Sequence, residues 1–141
     1  MAHPTAHHVG VTVSDLESAV DFYRSVFDCS VLAEFSVAGD AFETGVGIDG
    51  ASAAFAHLDC GSVRLELVAY EPAGEDRPAA ELNQPGATHL GVEVDDIDAF
   101  YRSLDDDVET ISEPQTTETG TKICFLRDPD DHLVEVLELD A

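Results

Sequence analysis

Two histidines lead into apolar strands, His8 in HHVGVTV and His89 in THLGVEV, and two glutamates interrupt apolar strands, Glu66 in VRLELV and Glu135 in HLVEVL. Two imidazoles and two carboxylates form a mixed nitrogen and oxygen donor set. Such a set suits one divalent first-row ion: Zn²⁺, Ni²⁺, Co²⁺, Mn²⁺ or Fe²⁺. On an octahedral ion, four protein ligands leave two positions for water or substrate, which is the arrangement of a catalytic site. A lone His or Glu at a strand end is ordinarily just a polar group. Four in related places are a candidate site.

The relation between the places is an internal repeat. HHVGVTVSDLESAVDFYRS, residues 7–25, returns as THLGVEVDDIDAFYRS, residues 88–103. At one constant offset His8 falls on His89, Gly10 on Gly91, Asp15 on Asp96 and Leu16 on Ile97, and after a short deletion Phe22-Tyr23-Arg24-Ser25 falls on Phe100-Tyr101-Arg102-Ser103. A second echo sets FAHLDCGSVRLELV, residues 55–68, on CFLRDPDDHLVEVL, residues 124–137, with Glu66 on Glu135.

Local signals give both halves the same order of elements. Residues 8–13 alternate as a strand, and Ser14 to Glu17 matches the capping box that opens a helix. Leu16, Ala19, Val20, Tyr23 and Phe27 then recur at helical spacing, giving one apolar face to lie on a sheet. Strands are expected near 30–38, 52–60 and 62–70. The second half repeats this with a strand at 88–94, a helix at 96–104 and strands near 107–112, 121–127 and 132–139. The unit is βαβββ, twice, in an α+β domain spanning 1–141. The first module covers about 6–72, the second about 88–141, and the Pro- and Gly-containing stretch 73–87 connects them.

Strand side chains alternate between faces, so phase decides which residues share a side. Val9, Val11 and Val13 form the apolar set that must meet the helix, leaving His8, Gly10 and Thr12 opposite; likewise Leu90, Val92 and Val94 leave His89, Gly91 and Glu93 opposite. In VRLELV the apolar set Val63, Leu65 and Leu67 leaves Arg64 and Glu66, and Val134 and Val136 leave Glu135. All four donors are therefore expected on the helix-free faces of their sheets. His7 is out of phase with His8 and expected to point away, while His57 and His132 read as structural histidines.

Charge and cysteine content bound the setting. Thirty Asp and Glu against six Lys and Arg give a formal net charge of -24, which excludes nucleic acid as a partner. In molar salt the screening length falls to about 3 Å, so this acid excess reads as adaptation to an extremely halophilic cytoplasm. No apolar run suits a membrane span, and the start MAHPTAHH lacks the basic and apolar regions of a secretory signal. Cys29, Cys60 and Cys124 form no CxxC pair and are odd in number, which argues for a reducing compartment and against a disulfide framework. GVGIDG, residues 45–50, satisfies G-x-G-x-x-G, but a strand is expected after it where a dinucleotide fingerprint needs a helix; its glycines read as a flexible lip of the site.

The motifs HVGVTVSDLESAVDFYRSVF, VRLELV, THLGVEVDDID and FLRDPDDHLVEVLE together resemble the vicinal oxygen chelate superfamily, which includes glyoxalase I, methylmalonyl-CoA epimerase, fosfomycin-modifying enzymes, bleomycin-resistance proteins and extradiol dioxygenases. The resemblance covers nearly the whole chain and implies a curved mixed sheet built from the two modules. In its glyoxalase-I-like members the metal sits on a His of the first strand, a Glu of the fourth, a His of the fifth and a Glu of the eighth, places that fall here on His8, Glu66, His89 and Glu135. The usual Leu-Gly after the first helix is Phe27-Asp28, and the usual Gly of the last hairpin is Asp131; Asp tolerates the left-handed conformation, so both departures read as acidic adaptation at turns.

The resemblance implies bidentate chelation of vicinal oxygens, with the ion polarising a carbonyl, and proton transfer at the neighbouring carbon by Glu135 or Glu66. The expected activity is that of a metal-dependent lyase or isomerase acting on a small oxo-compound. Arg64 and Glu93 are further candidates for substrate contact, and a homodimer is expected. The alternatives are an extradiol-type dioxygenase, against which Glu66 argues because those enzymes use three ligands, and a non-catalytic binding or resistance protein, against which the metal set argues.

Overall fold

A computed structural model of the chain describes residues 3–77 and 81–140, so part of the expected connection at 73–87, residues 78–80, lies outside the described residues. The chain forms two compact units, Met1–Asp76 and Arg77–Ala141.

The first unit runs β1 (Val9–Thr12), α1 (Leu16–Phe27), β2 (Ser30–Ala38), α2 (Asp40–Val46), β3 (Ser52–Asp59) and β4 (Arg64–Glu71). Its strands form one mixed sheet in the order β1-β4-β3-β2, with β1 parallel to β4 and the other pairs antiparallel. Helix α1 starts where Asp15, and not the expected Ser14, caps it by accepting the Ser18 amide at 3.1 Å. It ends at Asp28, whose φ of 56° is the left-handed conformation expected there, with its amide donating to the Arg24 carbonyl at 3.0 Å. The helix buries Ala19, Val20 and Tyr23 against β4 and β3, whose Leu65, Leu67, Ala56 and Leu58 are fully inaccessible. That layer is the core of the unit. The expected apolar set divides: Val13, just past the end of β1, is 5% exposed, but Val9 at its start is 52% exposed.

The second unit repeats the plan with β5 (His89–Glu93), α3 (Ile97–Ser103), β6 (Gln115–Thr116), β7 (Lys122–Arg127) and β8 (Leu133–Glu138), in the sheet order β5-β8-β7-β6 with β5 parallel to β8. Asp96, the repeat mate of Asp15, caps α3 by accepting the Ala99 amide at 3.0 Å. Ile97 of this helix and Leu126, Val134 and Val136 of the sheet are fully buried. Asp131 turns the last hairpin at φ 65°, and Asp128 ties that turn by accepting the amides of Asp130 and His132, each at 2.9 Å. The α+β plan of two βαβββ modules thus holds.

Three local expectations need correction. The segment 107–112 is no regular strand: Thr110 makes a single bridge to Leu126, and the sheet's outer strand is the two-residue β6 further on. Residues 40–46, which include the first two of GVGIDG, form helix α2 where no helix was expected; Gly47 ends it at φ 74°, and the Gly50 amide donates to Glu43 Oε1 at 2.6 Å. These glycines are therefore a pinned helix-to-strand turn and not a flexible lip, and with a helix before them and β3 after them no dinucleotide fingerprint is formed. Finally, Cys29 and Cys60 are joined in a disulfide, with Cα atoms 4.6 Å apart, against the expectation of none. The antiparallel pairing of Ser30 with Asp59 sets the two residues just beyond it opposite each other, a relation that motif spacing does not reveal. Cys124 is the free, buried thiol.

Candidate functional site

In the first unit, β1 and β4 run parallel with Gly10 beside Glu66. His8, just ahead of β1, sets Nε2 3.3 Å from Glu66 Oε2. A side chain at position 10 would crowd that carboxylate, since a Cβ there would lie 3.6 Å from Glu66 Oε1. In the second unit Gly91 lies beside Glu135 in the same parallel register, and His89 Nε2 is 3.4 Å from Glu135 Oε1. Each unit therefore brings its own imidazole and carboxylate together, on the sheet face away from α1 in the first unit and from α3 in the second.

The donor spacing tests whether such a pair suits a metal ion. Ligands at about 2.0–2.2 Å from one ion stand roughly 3.0 Å apart at a right angle and roughly 3.5 Å apart at the tetrahedral angle. Both pairs fall in that interval, so each fits two adjacent positions on one ion. The other nitrogen of His8 is engaged as well, with His7 Nδ1 2.8 Å from His8 Nδ1, which leaves Nε2 as the nitrogen facing Glu66. Among the described residues no group of three or more His, Cys, Asp or Glu is gathered as a metal cage.

Two histidines stand elsewhere than expected. His7 does not point away, since its ring centroid is 5.1 Å from that of His8 and 6.0 Å from that of His57. Strand alternation fails for it because β1 begins only at Val9. His57, read as structural, is a neighbour of the candidate ligand: β3 pairs it with Glu66, and its Nε2 is 2.8 Å from Glu66 Oε2. Arg64 completes this line with NH1 3.4 Å from His57 Nδ1. The antiparallel register that makes this contact is non-local, and ASAAFAHLD carries no alternation from which to find it. His132, read as structural, lies in the last hairpin, its carbonyl accepting the Asp128 amide and its own amide donating to Asp128 Oδ1. Glu93 is exposed at the end of β5, two steps of alternation from His89 on the same face.

Beyond Glu66 this face of the first unit turns apolar. Phe55 pairs with Val68 across β3 and β4 and with Phe35 on β2, whose ring stacks on it at 5.0 Å. From α2, Phe42 stacks on Tyr70 at 6.2 Å and meets Phe55 at 6.3 Å. An imidazole–carboxylate end thus adjoins an aromatic wall, a surface suited to a small molecule with polar oxygens at one end and carbon framework at the other.

A tandem βαβββ chain with one imidazole–carboxylate pair at matching places in its two units is the class that these observations define. The family model described as the Glyoxalase/Bleomycin resistance protein/Dioxygenase superfamily matches residues 5–136, and the chain belongs to that superfamily. It is 32% identical over 120 residues to a 2-epi-5-epi-valiolone epimerase from an Actinomyces species, covering 81% of this chain and 66% of that protein. It is also 32% identical over 102 residues to the mitochondrial methylmalonyl-CoA epimerase of Homo sapiens, covering 70% of this chain and 51% of that protein. The matches thus span somewhat under two thirds and about half of these relatives. Among solved structures, a glyoxalase family protein from Bacillus cereus superposes with a TM-score of 0.84 at 22% identity, over 98% of this chain and 97% of that one, a likeness of fold. No helix among the described residues is long and apolar enough to cross a membrane.

Proposed function

We propose that this chain is a divalent-metal-dependent isomerase or lyase, of epimerase type, that moves a proton at the carbon next to the carbonyl of a small oxo-compound. The observation that carries the reading is the imidazole–carboxylate pair repeated at matching places in both units, with donor spacings of 3.3 and 3.4 Å. The similarity to two proteins named as epimerases supports the reaction class.

His8, Glu66, His89 and Glu135 are the proposed ligands of one ion per chain. A divalent ion held there supplies Lewis-acid polarisation of a carbonyl oxygen. The chain's own groups do the rest. A glutamate carboxylate accepts the proton as the carbon–hydrogen bond breaks, keeps it while the carbon is planar and returns it, for which Glu135 and Glu66 are the candidates. The aromatic wall of Phe35, Phe55 and Phe42 excludes water from one side of the bound molecule, which strengthens the electrostatics of the polar end. Arg64 and Glu93 are proposed as rim contacts to substrate. The acid excess supports a working environment of high salt inside the cell, and the expected homodimer is read from sedimentation in that salt.

The test is anaerobic loading with each of Mn²⁺, Fe²⁺, Co²⁺, Ni²⁺ and Zn²⁺, followed by metal analysis and then by deuterium exchange into carbonyl substrates. The compounds that name the two epimerase relatives are the first to try. Uptake of about one ion per chain with exchange next to the carbonyl is expected. Oxygen consumption with a catechol replaces this reading by ring cleavage, and tight ligand binding without turnover replaces it by a binding protein.

A further inference from the structure

The two glutamates occupy the same place in the repeat but not the same surroundings. Residue 57 on β3 pairs with Glu66, and residue 125 on β7 pairs with Glu135, so His57 and Phe125 are register mates. His57 is buried and bonds Glu66 Oε2 at 2.8 Å, whereas Phe125 offers Glu135 only a ring. Two residues before each glutamate stand Arg64 and Leu133. Arg64 reaches His57 at 3.4 Å, and a leucine has nothing to offer in its place. Among the described residues Glu66 therefore has His8 and His57 as partners, and Glu135 has His89.

The order of this line fixes a tautomer. A guanidinium only donates hydrogen bonds, so His57 Nδ1, facing Arg64, must accept. A neutral imidazole that accepts at Nδ1 carries its hydrogen at Nε2, the atom directed at the Glu66 carboxylate. We propose that His57 is a positioning residue: locked by Arg64 in the Nε2–H tautomer, it holds Glu66 in one orientation as a fixed ligand and leaves Glu135, which has no counterpart to it, as the carboxylate free to turn and take the proton. This rests on the metal-dependent reading above for its consequence, but not for its geometry. Holding one carboxylate and releasing the other divides the labour between two residues that the repeat otherwise makes equivalent.

The experiment has one arm without metal and one with it. In the metal-free protein, long-range ¹H–¹⁵N spectra of His57 should show the Nε2–H form. An Nδ1–H form, or a spectrum unchanged in Glu66→Gln, overturns the proposal. In the second arm Co²⁺ affinity is titrated for His57→Phe, which copies the Phe125 arrangement, and for His57→Gln, which retains a donor. Outer partners of metal ligands are typically worth about 10- to 100-fold in affinity, so His57→Phe should lose that much and His57→Gln should recover most of it. Unaltered affinity in His57→Phe, with circular dichroism confirming the fold, overturns the proposal; so does equal loss in both variants, which would mean that His57 only fills space. If the wild-type protein takes up no ion while His57 keeps the Nε2–H form, the metal-dependent reading fails and the positioning of Glu66 stands.

Discussion

Val9 and Val13 belong to one alternating apolar set, and by phase alone they should matter equally; their surroundings say otherwise. Val13 is 5% exposed and Val9 is 52% exposed. Replacing each by alanine removes the same two methyl groups, and strand preference bears on Val9 alone, so the larger share of the difference between the variants reports burial. At about 0.8 kcal/mol per buried carbon, Val13→Ala forfeits about 1.6 kcal/mol of transfer energy, and the cavity left behind brings the total to roughly 2–3 kcal/mol. Val9→Ala leaves no cavity, because water already reaches the side chain, and loses at most about 0.8 kcal/mol. The gap of about 1–3 kcal/mol corresponds to a melting temperature lower by roughly 3–12 °C in Val13→Ala for a chain of this size. Thermal unfolding in molar potassium chloride, followed by far-ultraviolet circular dichroism, measures it. Equal losses in the two variants would refute the contrast between a buried Val13 and an open Val9, and would show that Val9 is covered in solution.

Other consequences are equally accessible. With a net charge of -24, stability should rise as potassium chloride is raised from about 0.1 M to about 2 M, because shortening the screening length relieves self-repulsion; a maximum in dilute buffer would contradict the salt adaptation. Burial raises the Cys124 thiol above its ordinary value. Because the folded value exceeds the unfolded one, this contribution to stability is complete below the ordinary thiol range and is lost as pH climbs through the raised value, so Cys124→Ala should flatten the alkaline fall in stability. In the native protein the same thiol should resist alkylation until the chain is unfolded, and rapid labelling would show that the β7 face is open.

The repeat made most of the fold legible, since sequence similarity between the halves fixes the order of elements even where one half is weakly patterned. Asp28 and Asp131 at positive φ show that the departures from the usual glycines were acid tolerated at turns. The pairing of His8 with Glu66 and of His89 with Glu135 within each unit agrees with strand phase. What escaped was non-local or irregular. His57 and Arg64 join Glu66 through antiparallel register, and Cys29 meets Cys60 the same way, neither relation being written in local spacing. His7 was misplaced because alternation was extended past the start of a strand. Helix α2 is short and has no side-chain cap, and residues 107–112 are held to β7 by backbone bonds from Ile111 and Arg127 without forming a ladder.

The central claim is that a glutamate takes a proton from carbon beside a bound divalent ion, and deuterium exchange by Glu135→Gln measured with metal content in the same sample tests it most directly. Occupancy is essential, since Glu135 is also a proposed ligand and a missing ion imitates a missing base. General-base catalysis contributes about 10²- to 10⁴-fold, so a metal-loaded Glu135→Gln should lose exchange within that range while its substrate affinity changes little. Glu66→Gln, whose amide oxygen can still coordinate, should retain far more activity at equal occupancy. Full exchange in metal-loaded Glu135→Gln would contradict the account.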